Sequence, residues 1–156
     1  MPVDSDRIEN WPALKYFNVA NWNNVEIHCV KDIPSEHIQE AYWECGSHPE
    51  VVERVWDKLG AELNDDSCLL VNGVNCLVHD QSGILLALCM GTEYVLRLAD
   101  SDLDSAFDAG LKHTFDWGGT GHTNLETEFG PNWLFGGWDA TETIWIRNVY
   151  SQFASA

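Results

Sequence analysis

Three features of the 156-residue chain predict an α+β fold built on one antiparallel sheet. Strand-like apolar runs between Cys68 and Leu98 are separated by turn residues. Apolar residues recur at helical spacing on both sides of that stretch, and Asn72-Gly73 marks a tight hairpin. Together they predict a single domain over residues 1–156, in which a meander sheet of five or six strands packs with about three helices.

Residues 1–24 have no clean period and are expected to form an irregular N-terminal segment with aromatic anchors. Residues 25–31 alternate as a first strand, with Val25, Ile27 and Cys29 on one face. Pro34-Ser35 opens a helix carrying Ile38, Ala41, Tyr42 and Cys45, which Gly46 ends. Ser47 and Glu50 have the spacing of a capping box for a second helix, whose stripe is Val52, Val55, Trp56, Leu59 and Leu63.

A four-strand meander follows over residues 68–98. Asn72-Gly73 supplies both positive φ angles of a type I′ turn, and residues 80–83 and Gly91-Thr92 make the other two turns. The run from Ile84 to Met90 shows no polar alternation, which predicts a central strand covered on both faces. A third helix, capped by Ser101 and apolar at Leu103, Phe107, Leu111 and Thr114 or Phe115, is placed to cover the second face. Residues 117–142 read as a Gly- and Trp-rich loop segment, and residues 143–150 as a last strand.

The net charge is −17, from 25 Asp plus Glu against 8 Lys plus Arg. Eight Trp, six Phe and four Tyr rule out a disordered acidic tail as its source, so the charge belongs to a folded surface. Such a surface attracts basic partners and repels nucleic acid, anionic membranes and acidic substrates. The five cysteines are an odd number, lie mostly in apolar runs and form no C-x-x-C pair, so they read as reduced core thiols. Acidic residues stand where a signal peptide has basic ones, and the longest apolar run is far short of the roughly 20 residues of a membrane helix. A cytoplasmic protein with no membrane partner is the expectation.

Glu36, Glu40 and Glu44 stand at i, i+4, i+8 with no cation between them, a stripe that gains from a cationic partner. Asp102, Asp104 and Asp108 offer a second patch, and Trp133 and Trp138, set among glycines, either pin their loop or anchor a partner. On helix two, Glu50 with Arg54 and Lys58 reads as a locally balanced face.

Chemical motifs fail on inspection. Asp100-Ser101-Asp102-Leu103-Asp104 opens like a calcium loop, but Ser105 replaces the turn glycine and Leu111 the bidentate Glu. His113, Asp116, His122, Glu126 and Glu128 match no metal signature, Gly118-Gly119-Thr120-Gly121 lacks the lysine of a phosphate loop, and Gln81-Ser82-Gly83 lacks the setting of a nucleophile elbow. No catalytic residue, metal or cofactor is therefore expected.

In charge and size the chain resembles the immunity proteins and antitoxins that plug the basic clefts of nuclease toxins. The resemblance implies a non-enzymatic protein that binds and neutralises a basic protein partner, through Glu36, Glu40, Glu44, Asp102, Asp104, Asp108, Trp133 and Trp138. The alternative is a small-molecule-binding domain or enzyme with a pocket near residues 113–138.

Overall fold

The structure, a computed structural model, describes residues 3, 10–17, 26–32, 49–61 and 63–154. The predicted first helix, with Glu36, Glu40, Glu44 and Cys45, lies outside the described residues.

A short helix α1 (Trp11–Leu14) runs into a 3₁₀ turn, Lys15–Phe17, and β1 is Ile27–Cys29. Helix α2 (Pro49–Glu53) widens into π-helical turns over Arg54–Leu59, buries Val52, Val55, Trp56 and Leu59, and closes with the Gly60 amide donating to Val55 O at 3.0 Å. Glycine is required at that end, because a Cβ at Gly60 would stand 2.8 Å from Trp56 O and 2.9 Å from Cys68 Sγ.

Strands β2 (Cys68–Val71), β3 (Val74–Val78), β4 (Leu85–Met90) and β5 (Glu93–Arg97) form the expected antiparallel meander. Asn72 and Gly73 take φ values of 47° and 85°, as a type I′ turn demands. Between β3 and β4 the register slips so that Val78 faces Leu85 while Leu77 faces Ala87. The extra residue makes a bulge at which Leu86 and Ala87 both join one core cluster.

After β5 come α3 (Leu103–Asp108), a separate hairpin of β6 (Thr114–Asp116) and β7 (His122–Asn124), then α4 (Leu125–Glu128), β8 (Trp133–Phe135) and α5 (Glu142–Ala154). Strand β8 returns to pair with β5, which gives a six-stranded antiparallel sheet in the order β1-β2-β3-β4-β5-β8.

Strand β4 is buried on both faces. On one, Leu77, Leu86, Cys89, Tyr94 and Leu96 pack against α2, α5 and Ala106 of α3. On the other, Leu69, Leu88, Met90 and Val95 meet Phe17, Leu125, Phe129 and Trp133. Cys76 and Cys89 are buried, and burial pushes the Cys68 thiol up to about 11, with Asp65 and Asp57 adding to it. The described cysteines are free thiols, as their apolar settings imply.

Three expectations are corrected. The third helix stops at Asp108 because Gly110 takes φ 97°, and Leu111 closes it by donating to Ala106 O at 3.0 Å. Thr114 and Phe115 are therefore strand residues, Phe107 is left 42% exposed, and the helix carries no side-chain cap from Ser101. Residues 117–142 contain β7, α4 and β8 rather than one loop. Asn124 starts α4 by accepting from the Glu126 and Thr127 amides at 3.1 and 3.4 Å.

The last element is a helix, not a strand. Glu142, Trp145, Ile146, Val149, Tyr150 and Phe153 share its inward face at helical spacing, which prevails over the β propensity of Ile144-Trp145-Ile146. Leu88→Ala is expected to cost about 2–5 kcal/mol of stability, and Phe107→Ala less than about 0.5 kcal/mol, both measured by urea unfolding.

Candidate functional site

The segment Gly136-Gly137-Trp138-Asp139 crosses the end of β5 on its way into α5, and each residue of it is held by the core beneath. Gly136 must be glycine, since a Cβ there would stand 1.9 Å from the Tyr94 ring. At the helix start, Asp139 Oδ1 accepts from the Thr141 amide at 2.8 Å, while Glu142 Oε1 accepts from the Asp139 amide at 3.3 Å. Asp139 thus caps the second helical position while Glu142 reaches back to the cap's own amide, as the second half of a capping box does.

Glu142 does more than cap. Its carboxylate is completely buried and also accepts from the Tyr94 hydroxyl and the Gly137 amide. Arg54 Nη2 stands 3.8 Å from it and donates to the Asp139 carbonyl. A buried carboxylate without such partners would cost several kcal/mol. Burial, reinforced by the charge of Glu142, pushes the Tyr94 phenol well above its ordinary range, so it stays protonated and donates.

The Tyr94 oxygen in turn accepts from the Trp138 amide at 2.9 Å. Trp138 sits at φ 63°, a conformation that a bulky residue adopts only under constraint. Its ring meets Tyr94 edge to face at 5.2 Å, yet the residue is 44% exposed. Glu50, Glu53, Arg54 and Lys58 line a cleft of about 340 Å³ beside it, and Glu93 is a hydrogen-bond partner of its side chain. The result is a fixed, half-exposed indole with charged side chains of both signs around it.

The other expected partner residues divide. Asp104 and Asp108 are exposed on α3 beside Phe107, whereas Asp102 is half-buried and takes the Asn148 amide group at 3.1 Å. Trp133 is 1% exposed. It lies under the Arg97 guanidinium at 4.9 Å and against Phe129 at 5.3 Å, so it pins its strand and presents no ring to a partner. Trp138 stands beside the helix-two face of Glu50, Arg54 and Lys58, with Glu53 next to them, and Arg54 also reaches inward to Glu142.

No group of three or more His, Cys, Asp or Glu among the described residues is placed to hold a metal ion. His113 Nε2 bonds Pro131 O at 2.9 Å and its Nδ1 is 3.7 Å from Glu126, while Asp116 and His122 are cross-strand partners in the β6–β7 hairpin. Ser82 Oγ lies 2.6 Å from His79 Nδ1, but Nδ1 also accepts the Ser82 amide at 3.1 Å and the hydroxyl accepts from the Ile84 amide at 3.4 Å. Both side chains thus close the β3–β4 turn. No described helix is long and apolar enough to cross a membrane.

A second cavity, of about 630 Å³, lies on the other face of the sheet, between Tyr16 and the Trp117–Phe129 region. Compared with protein-family models, curated protein sequences and solved structures, the chain matches none.

Glu142→Ala is expected to cost about 3–5 kcal/mol, because it strands Arg54 and the loop amides. Trp138→Ala is expected to cost less than about 1 kcal/mol. Urea unfolding of the two variants compares them directly.

Proposed function

We propose that this protein binds and neutralises a basic protein, in the manner of an immunity protein that blocks a cationic, nuclease-like toxin. The observation that carries the reading is Trp138, a half-exposed indole held at φ 63° by a buried network, hydrogen-bonded to Glu93 and set at a cleft lined by Glu50, Glu53, Arg54 and Lys58. Rigid aromatic residues with a desolvated base and a charged rim are the usual energetic centres of protein interfaces. A net charge of −17 supports a basic partner, since a field of that sign steers cations inward and turns nucleic acid away.

The roles divide by physics. Trp138 sets how long the complex lasts, because its contact is desolvated and already ordered, so little side-chain entropy is lost on docking. The exposed carboxylates Asp104 and Asp108 on α3, together with the charges that the sequence places at Glu36, Glu40 and Glu44, set how fast it forms. Asp102, tied to Asn148, contributes charge rather than a free contact. Phe107, exposed between Asp104 and Asp108, gives that patch an apolar centre as well. Cytoplasmic residence accords with free thiols at every described cysteine.

The test is a pull-down at low and then high salt, followed by stopped-flow association with the retained protein. One basic partner at 1:1 is expected. Trp138→Ala should raise its dissociation rate about tenfold or more, and Glu40→Lys with Glu44→Lys should slow association and flatten its salt dependence. A partner whose kinetics ignore Trp138 would remove this face from the interface.

A further inference from the structure

We propose that the cavity between Tyr16 and the Trp117–Phe129 region is a binding site for an organic ammonium ion, of the quaternary or fully methylated type. It lies across the sheet from Trp138 and is independent of the neutralisation reading. Its volume of about 630 Å³ suits a small molecule or one long side chain.

The walls are aromatic: Tyr16, Trp117 and Phe129 line the cavity, with Met90 at the end of β4 below them. A cation over an aromatic face is attracted by the ring's quadrupole, most strongly for Trp. These rings are already fixed. Tyr16 meets Phe129 edge to face at 6.5 Å, Phe129 meets Trp133 at 5.3 Å, and Trp117 packs on Phe115 at 4.4 Å while its indole N–H donates to Thr123 Oγ1 at 2.8 Å. A preformed site spares the ligand the entropy of ordering its walls.

Charge selects the ligand's sign. Glu128 is the ionisable carboxylate of the lining and no Lys or Arg belongs to it among the described residues, so the site adds to the overall negative field. Hydrogen bonding selects its substitution. The Trp117 N–H is consumed by Thr123, and the Tyr16 hydroxyl is engaged with the Gly91 backbone and stays protonated, since burial pushes it up to about 12. A primary ammonium would exchange its hydration for the Glu128 carboxylate and the Tyr16, Thr123 and Thr127 hydroxyls of the lining, whereas a quaternary ammonium has no donors to satisfy and suits the aromatic part of the wall.

Choline and its neutral isostere 3,3-dimethylbutan-1-ol, titrated into the intact protein by calorimetry and by NMR at the Trp117 indole N–H, test the assignment. Choline is expected to bind about tenfold or more tightly than the isostere. Glu128→Gln, a surface change, should weaken it about two- to fivefold, and Trp117→Leu should abolish it. A peptide bearing trimethyllysine decides the source: tighter binding than choline assigns the site to a methylated protein tail, weaker binding to a free ammonium compound. Equal affinity for the isostere, no binding of either cation, or choline affinity unchanged in Glu128→Gln and in a folded Trp117→Leu would overturn the proposal.

Discussion

One buried carboxylate organises the exposed chemistry of this protein. Glu142 has no contact with water, so its charge must be met from within. The groups that meet it, the Tyr94 hydroxyl, the Gly137 and Asp139 amides and the Arg54 guanidinium, come from β5, the Gly136–Asp139 segment and α2. Satisfying that charge ties together elements that are distant in sequence. The same arrangement leaves Trp138 at a positive φ with its ring outward, because its amide is committed to Tyr94 and Gly136 is pressed on the Tyr94 ring. Strain of that kind persists only where surrounding structure over-determines it.

The sheet separates two surfaces of different character. On the side of α2 and α5, a rigid indole stands among carboxylates and the Arg54 and Lys58 cations at a shallow cleft, which suits a broad macromolecular contact. On the side of α1 and the β6–β7 hairpin, aromatic rings surround a cavity with a single carboxylate, which suits a compact cation. Strand β4 contributes to both cores at once, and its bulge allows Leu86 and Ala87 to face the same way where strict alternation would not. Both surfaces lie on a chain whose carboxylates outnumber its cations by 25 to 8.

Much of the fold was legible because local and tertiary preferences agree there. Asn72-Gly73 can hardly serve except as a primed turn, and the unbroken apolar run of β4 had to be covered twice. The C-terminal helix was misread because Ile144-Trp145-Ile146 has strand propensity, although Asp139-Ala140-Thr141-Glu142 carries the spacing of a capping box and Trp145, Val149 and Phe153 continue its face. Gly110 was the overlooked stop of α3, and Asn124 the overlooked start of α4. Of the site, Trp138 could be named from its glycine-rich setting, but nothing near it in sequence separates it from Trp133; only pairing with β5 buries one and spares the other. Glu142, Tyr94 and Arg54 were invisible because a buried ionic network joins residues far apart in the sequence, Tyr94 and Glu142 being separated by 48 positions.

Amide hydrogen exchange at Gly137 and Trp138 probes the central claim most directly. If the Glu142 carboxylate and Tyr94 hydroxyl hold those two N–H groups as described, both should exchange as slowly as amides of the adjoining strand β5, despite lying in an exposed segment outside regular structure. Exchange at the rate of an unprotected loop would mean that the segment is not held, and that Trp138 is a mobile side chain rather than a presented one.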